Sequence, residues 1–209
     1  VNSSVSTLPY EFHQGSAVVL NGEIHILGGH VVYTKHYKWN GSSWTSVSTL
    51  PYEFSHASAV VLNNEIHILG SGYEDYGDEI YTRNHYKWNG SSWTSVSSLP
   101  YSFWGGSAVV LNNEIHILGS SYRDEHGYKI YTTKHYKWNG SSWTSVSSLP
   151  YSFYNGSAVV LNNEIHILGG DSPTTGNKYH YKWDGSSWSS VSTIPSYFYS
   201  GEAVVLNNE

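Results

Sequence analysis

Histidine is the residue of this chain best suited to chemistry at neutral pH, and there are twelve. Eight recur at two places: His25, His67, His116 and His166 within E-I-H-I-L segments, and His36, His85, His135 and His180 within H-Y-K-W segments. Imidazoles can ligate a transition metal or carry protons. Equivalent positions of successive repeats, however, stand too far apart for their side chains to share one ion. Packed, hydrogen-bonded histidines within or between repeats are therefore expected. The other four, His13, His30, His56 and His126, fall in irregular stretches, and no HExxH or comparable spacing points to a metal. The absence of cysteine removes thiolate nucleophiles, disulfides and Cys-type zinc sites. Nothing in the sequence points to a Ser-His-Asp set. The acidic run Glu74-Asp75-Tyr76-Gly77-Asp78-Glu79 lacks the spacing of a calcium loop and reads as a solvated tip. The expectation is a protein without catalysis, metal or cofactor.

Aromatic residues carry the sharper signal. Eight of nine tryptophans repeat, at 39, 44, 88, 93, 138, 143, 183 and 188, and all five phenylalanines belong to one L-P-Y-x-F type motif. Trp104 alone breaks the pattern. With Tyr154, Tyr199, Tyr73, Tyr76, Tyr122 and Tyr128 it would offer rings to a sugar or protein, large contact area at low entropic cost. His13, Gln14, His56, Asn155 and Arg123 lie in the same stretches and complete the candidate ligand-binding set.

These residues are positioned by a repeat. The segment His85–Gly119 recurs almost word for word at His36–Gly70 and His135–Gly169, and in large part at His180–Glu209. The prolines Pro9, Pro51, Pro100, Pro150 and Pro195 mark units of 42 to 50 residues, a period that signals a propeller or solenoid. Each unit reads as four strands. The first is AVVL (17–20, 59–62, 108–111, 158–161, 203–206), apolar throughout and expected to be buried on both faces. Asn-Gly or Asn-Asn then makes a two-residue turn into E-I-H-I-L. The third strand ends at Y-K-W. Asn-Gly-Ser-Ser, Asp-Gly-Ser-Ser in the last unit, turns into an outer strand, with Asn-Gly again read as a type I′ signal. Asn40, Asn89 and Asn139 in these turns, with Asn2 and Asn155, also spell glycosylation sequons. Trp44, Trp93, Trp143 and Trp188 are expected to be buried between units, with Tyr37, Tyr86, Tyr136 and Tyr181 nearby. No segment combines helical period with caps.

Such units hide their apolar faces only against one another, and radial packing of four-stranded blades does this. The expected fold is all-β, with complete blades over about 8–49, 50–98, 99–148 and 149–193 and partial-blade strands at 1–7 and 194–209. A Gly-Gly pair after an apolar strand (Gly28-Gly29, Gly169-Gly170), then Tyr37 and Tyr181, then Trp44 and Trp188 seven residues on, resembles the kelch repeat across the whole chain. Gly70-Ser71 and Gly119-Ser120 depart from it at the turn. The resemblance implies a kelch-like β-propeller that binds partners on the face carrying its variable loops. Related propeller oxidases use a Tyr–Cys cofactor, which a chain without cysteine cannot make.

Comparison between the units points to the same face. The turns between first and second strands and the N-G-S-S turns scarcely change. The windows at His13-Gln14, Ser55-His56, Trp104-Gly105, Tyr154-Asn155 and Tyr199-Ser200 differ, as do the connections 29–35, 71–84, 120–134 and 170–179. In a four-stranded meander the variable parts share one end and the constant turns the other. A net charge of −6 with 12% charged residues leaves no basic stripe for nucleic acid. No apolar run approaches the roughly 20 residues of a membrane span, and the N-terminus shows no signal-peptide pattern. The expected function is non-catalytic recognition of a carbohydrate or protein. A spacer array and a propeller enzyme with an unidentified site are the alternatives. Near-identical units with diversified loops resemble bacterial or phage-type surface proteins, which favours an extracellular or virion-associated place. Because strands 1–7 and 203–206 cannot meet without two more between them, the expected ends are open. Further blades of a longer chain or other subunits would cover them.

Overall fold

Paired asparagines and glycines set the first hairpin of every unit. The computed structural model describes residues 6–29, 32–75, 78–170 and 176–207, without the side chains of 73–79. Asn21-Gly22, Asn63-Asn64, Asn112-Asn113 and Asn162-Asn163 have positive φ at both residues. This is type I′ backbone, whose twist suits two adjacent strands. The turns join β1 (Ser16–Leu20) to β2 (Glu23–Leu27), β5 (Ser58–Leu62) to β6 (Glu65–Leu69), β11 (Ser107–Leu111) to β12 (Glu114–Leu118), and β17 (Ser157–Leu161) to β18 (Glu164–Leu168). The H-Y-K-W strands pair next: β3 (Lys35–Trp39), β9 (His85–Trp88), β15 (His135–Trp138) and β19 (His180–Trp183). Outer strands β4 (Trp44–Thr49), β10 (Trp93–Ser95), β16 (Trp143–Ser145) and β20 (Trp188–Ser190) complete four antiparallel four-stranded sheets in meander order. All described regular structure is β.

The N-G-S-S turns work differently from expectation. Asn40 is not in the left-handed region; its Oδ1 accepts from the Ser42 and Ser43 amides, both at 3.0 Å, and from Ser42 Oγ at 2.9 Å. Asn89 and Asn139 repeat the pattern, and Asp184 follows it with its carboxylate. A side chain replaces the backbone turn, as asparagine and aspartate readily do.

Two hairpins were not foreseen. Blade 2 carries β7 (Gly72–Asp75) with β8 (Asp78–Tyr81), and blade 3 carries β13 (Ser121–Arg123) with β14 (Lys129–Tyr131). They grow from the two connections that begin Gly-Ser rather than Gly-Gly. There the Ser120 hydroxyl accepts from the Trp104 amide at 3.0 Å and donates to the Ser102 carbonyl at 2.9 Å. Ser71 makes the matching contacts with the Ser55 amide and the Glu53 carbonyl. The serine thus ties the root of each hairpin to the preceding window.

Among the described residues the core consists of three seams between successive blades. In the seam of blades 2 and 3, Val60, Leu62 and Leu69 meet Leu99, Phe103, Ile115, Ile117 and Trp138. The other two seams repeat this composition. The first strand is not buried on both faces throughout: Val19 of blade 1 is 64% exposed, and on the second strand Ile24 is 40% exposed where Ile66, Ile115 and Ile165 are fully covered. Blade 1 lacks a neighbour on that side among the described residues, so the same sequence has nothing to pack against. At the other end, residues 203–206 are not a strand, and Val204 and Leu206 are exposed. Residues 6 and 7 are not strand either, and the rest of the expected 1–7 strand lies outside the described residues. A lone segment without partners for its backbone groups does not hold strand geometry. Among the described residues no strand pairing joins the fourth sheet back to the first.

The seams meet at glycine. Gly119 has φ 64°, and a Cβ there would fall 2.0 Å from the Phe153 carbonyl oxygen. Gly119→Ala is expected to lower stability by about 3 kcal/mol, combining left-handed backbone strain with a backbone clash. Urea unfolding checks this; Gly140→Ala, with open space around it, should cost only about 1 kcal/mol.

Candidate functional site

The five variable windows meet at the centre of the molecule. Their second residues, Gln14, His56, Gly105, Asn155 and Ser200, all have positive φ, between 49° and 65°. Each later one donates its amide to the carbonyl of the one before: His56 to Gln14 (2.9 Å), Gly105 to His56 (2.7 Å), Asn155 to Gly105 (2.7 Å), Ser200 to Asn155 (2.8 Å). This ladder bends the chain around an axis and opens a funnel of about 450 Å³. Serine side chains brace the wall one step below, Ser16 Oγ accepting from the Ala59 amide at 3.1 Å and Ser107 Oγ from the Ala158 amide at 3.2 Å.

The funnel is polar. His13, Gln14, His56, Asn155, Ser200 and Glu202 line it, with glycines between them. His13 and Gln14 are exposed, and His56 and Asn155 are half-buried. Asn155 Nδ2 donates to the Tyr199 hydroxyl at 3.1 Å, leaving its carbonyl oxygen for other partners. The Glu202 carboxyl, although the residue is exposed overall, has its pKa raised by desolvation, opposed by a 3.4 Å hydrogen bond from Ser157 Oγ. Such a lining presents hydrogen-bond donors and acceptors in one small space.

Trp104 and Tyr154 belong to this end but are not presented to solvent as expected. They are 9% and 4% exposed, covered by the hairpins the sequence did not reveal. The Trp104 ring lies 4.8 Å from His56, 5.2 Å from Tyr81 and 5.5 Å from Tyr154. Lys129 Nζ sits 3.8 Å from its centroid. Tyr199 is half-buried. Tyr122, Arg123 and Tyr128 stand away from the funnel on the β13–β14 hairpin, where Arg123 Nη1 donates to the Gly127 carbonyl at 2.8 Å and Tyr128 is 71% exposed. Tyr73 lies on β7, its side chain undescribed, and Tyr76, Asn2 and His30 lie outside the described residues. The structure thus brings His13, Gln14, His56, Asn155 and Tyr199 together and sets the hairpin residues apart. Ser200 and Glu202 were missed. Ser200 follows Tyr199 in the last window, and Glu202 is the one acid at a position where the other units have serine.

With this geometry in view, comparison with known proteins bears on the fold. No family model matches the chain, and no curated protein matches it. Among solved structures it is similar to the protein of "Structure of YjhT", with a TM-score of 0.80 at 15% identity, over 92% of this chain and 68% of that one. This chain is a β-propeller-like repeat protein. At such identity the likeness is one of fold alone.

The repeated histidines lie away from the funnel, three pairs in the seams and the fourth, His166 with His180, at the outer side of blade 4. They pair within each blade: His25 with His36 (2.8 Å), His67 with His85 (2.9 Å), His116 with His135 (2.9 Å), His166 with His180 (2.8 Å). In the three seams the next blade's tryptophan covers the pair; Trp138 lies 5.2 Å from His67 and 5.1 Å from His85. Burial first, and the charge of the partner imidazole next, lower the pKa of His36, His85 and His135 to about 3. Burial also lowers His67 and His116 to about 4. These imidazoles are neutral structural groups at neutral pH. Among the described residues no three His, Asp or Glu side chains gather as a metal site needs.

Proposed function

We propose that this propeller-like chain is built of kelch-type blades and acts as a non-catalytic recognition module that binds a carbohydrate in the central funnel. One observation carries the reading. The five short windows that differ between otherwise near-identical units line one polar funnel, while the constant N-G-S-S turns spend their Asn and Asp side chains within the turn. A volume of about 450 Å³ falls in the ordinary range of small-ligand sites, roughly 300–1,000 Å³. Side-chain amide, imidazole, hydroxyl and carboxyl groups around it suit a polyhydroxylated ligand better than an apolar one. The exposed Tyr128 and Arg123 on the β13–β14 hairpin favour a second reading, in which a protein partner docks on this hairpin.

A glycan array followed by titration calorimetry tests the proposal. Asn155→Ala and His56→Ala are each expected to weaken binding at least tenfold, the cost of one well-placed hydrogen bond to a ligand. Asn89→Asp, which copies Asp184 of the last blade, should leave it unchanged. Binding that survives both funnel changes and is lost on Asn89→Asp contradicts the reading. Loss on Arg123→Ala and Tyr128→Ala alone supports the hairpin alternative. Turnover of any bound sugar would replace a binding module by an enzyme, and a silent array with no partner captured would favour a spacer.

A further inference from the structure

The side of the funnel between blades 2 and 3 differs from the rest. Among the described residues only these blades carry the extra two-stranded hairpins, and both converge on Trp104, the one tryptophan outside the repeat. From β7, Gly72 packs closely against the indole: a Cβ there would fall 2.2 Å from Trp104 Cδ1. From β8, Tyr81 lies 5.2 Å away, ring to ring. From β14, Lys129 places its ammonium 3.8 Å from the Trp104 centroid and 5.0 Å from that of Tyr154, and donates to the Tyr154 hydroxyl at 3.4 Å. Tyr131, also on β14, lies 5.0 Å from Tyr154. On its funnel side the Trp104 ring meets the His56 imidazole at 4.8 Å, while Ser55 Oγ lies 3.1 Å from His56 Nδ1. Glycine makes room for this stack a second time, since a Cβ on Gly105 would fall 2.2 Å from the Tyr154 ring.

We infer that Trp104, clamped by Lys129, is a positioning residue of the funnel: it fixes the His56 imidazole in the wall and seats the β13–β14 hairpin beside the rim. The inference rests on the funnel being the binding site, and it names the sector that sets selectivity. The ring is buried and is not part of the funnel lining. It acts through His56, held between the indole and Ser55, and through a hairpin that has only 3-residue strands of its own. Two 3-residue strands are marginal in water without an external anchor. An ammonium over two aromatic faces in a covered site supplies one, because the ring quadrupole attracts a cation that has lost part of its water. Blades 1 and 4 have no such hairpin among the described residues, so the clamp makes the funnel asymmetric. A ligand entering it meets a braced imidazole on one side and Asn155 with Tyr199 on another.

Lys129→Met keeps the stem and removes the charge, and Lys129→Arg restores a cation; both are compared with the natural chain in the absence of ligand. Lys129→Met is expected to speed amide exchange across residues 121–131 about tenfold or more, since local opening is governed by local contacts. The His56 ring protons should move toward unstacked shifts in the NMR spectrum. Amides of the turns at 40–43 and 139–142 should be unaffected. Lys129→Arg should return both signals close to those of the natural chain, and Trp104→Phe should fall between. Exchange in 121–131 unchanged by Lys129→Met, His56 resonances that do not move, or an arginine variant as open as the methionine one would each overturn the inference. Calorimetry with glucose, galactose, mannose and N-acetylglucosamine separates the two readings. If no sugar binds either protein, the carbohydrate proposal fails, while exchange and NMR still decide the clamp.

Discussion

Lowering the pH from 7 to 4 is expected to unfold this protein cooperatively. The cause is the set of buried histidine pairs. His36, His85 and His135 have pKa values near 3, and His67 and His116 near 4, against an ordinary 6.5. In the folded chain they stay neutral, while the unfolded chain protonates them below about 6.5. The unfolded state therefore binds more protons between those limits, and stability falls as pH falls. Each histidine contributes up to about 1.4 kcal/mol per pH unit in that window, and because the charge of one imidazole opposes protonation of its partner, each pair takes up its protons in two steps. All five are at most 1% exposed, so solvent does little to screen the effect. Urea midpoints followed by circular dichroism should be flat above pH 7 and drop steeply below 6. A double His116→Gln, His135→Gln variant should lose part of that slope. A midpoint that stays level from pH 7 to pH 5 would contradict the account of the seams.

Trp138→Ala is expected to cost about 3–5 kcal/mol, the usual range for a large buried aromatic. Its ring is 4% exposed, belongs to the blade 2–blade 3 seam and covers the His67–His85 pair. Truncation would leave a cavity and admit water to two imidazoles. Trp143→Ala should cost roughly half as much, because that ring is half-buried and the area it removes from water is correspondingly smaller. Hydrogen exchange should place the damage of either change at the seam they share and leave the blade 1–blade 2 seam nearly intact, since repeat arrays couple through neighbours. A cost below about 1 kcal/mol for Trp138→Ala, or a larger cost for Trp143→Ala, would reverse this assignment.

That pair of tryptophans shows what the sequence made legible. The period of the prolines and the recurrence of AVVL, E-I-H-I-L and H-Y-K-W were enough for four-stranded blades packed side by side. The repeat led to the expectation that Trp44, Trp93, Trp143 and Trp188 are buried between blades; all four are only half-buried, although the rings of Trp93, Trp143 and Trp188 do lie against His36, His85 and His135 of the preceding blade. What it could not rank was burial. Trp88, Trp138 and Trp183 end a central strand, whereas Trp93, Trp143 and Trp188 begin an outer one, and both sets recur with equal fidelity.

The candidate site was legible in part. Differences between units located the five windows, and the positive φ at their second residues is a property that Asn155 and Gly105 tolerate readily. The hairpins escaped although their two connections match each other, S-x-Y-x-D at 71–75 and 120–124 and I-Y-T at 80–82 and 130–132, because units 1 and 4 have no counterpart and the stretches read as variable loops. Trp104 stood out by type, but its role did not: a lone aromatic in a variable window looks like a binding platform until the Gly72, Tyr81 and Lys129 contacts show that it is covered.

The central claim is that the end carrying the variable windows is where this protein meets its ligand. Amide chemical-shift mapping tests it most directly, titrating the isotopically labelled chain with the tightest glycan from the array. The account predicts shifts clustered at residues 13–15, 56–58, 105–107, 155–156 and 200–202, saturating together, with the turns at 40–43, 89–92, 139–142 and 184–187 unmoved. Shifts concentrated in those turns, with the five windows silent, would contradict it.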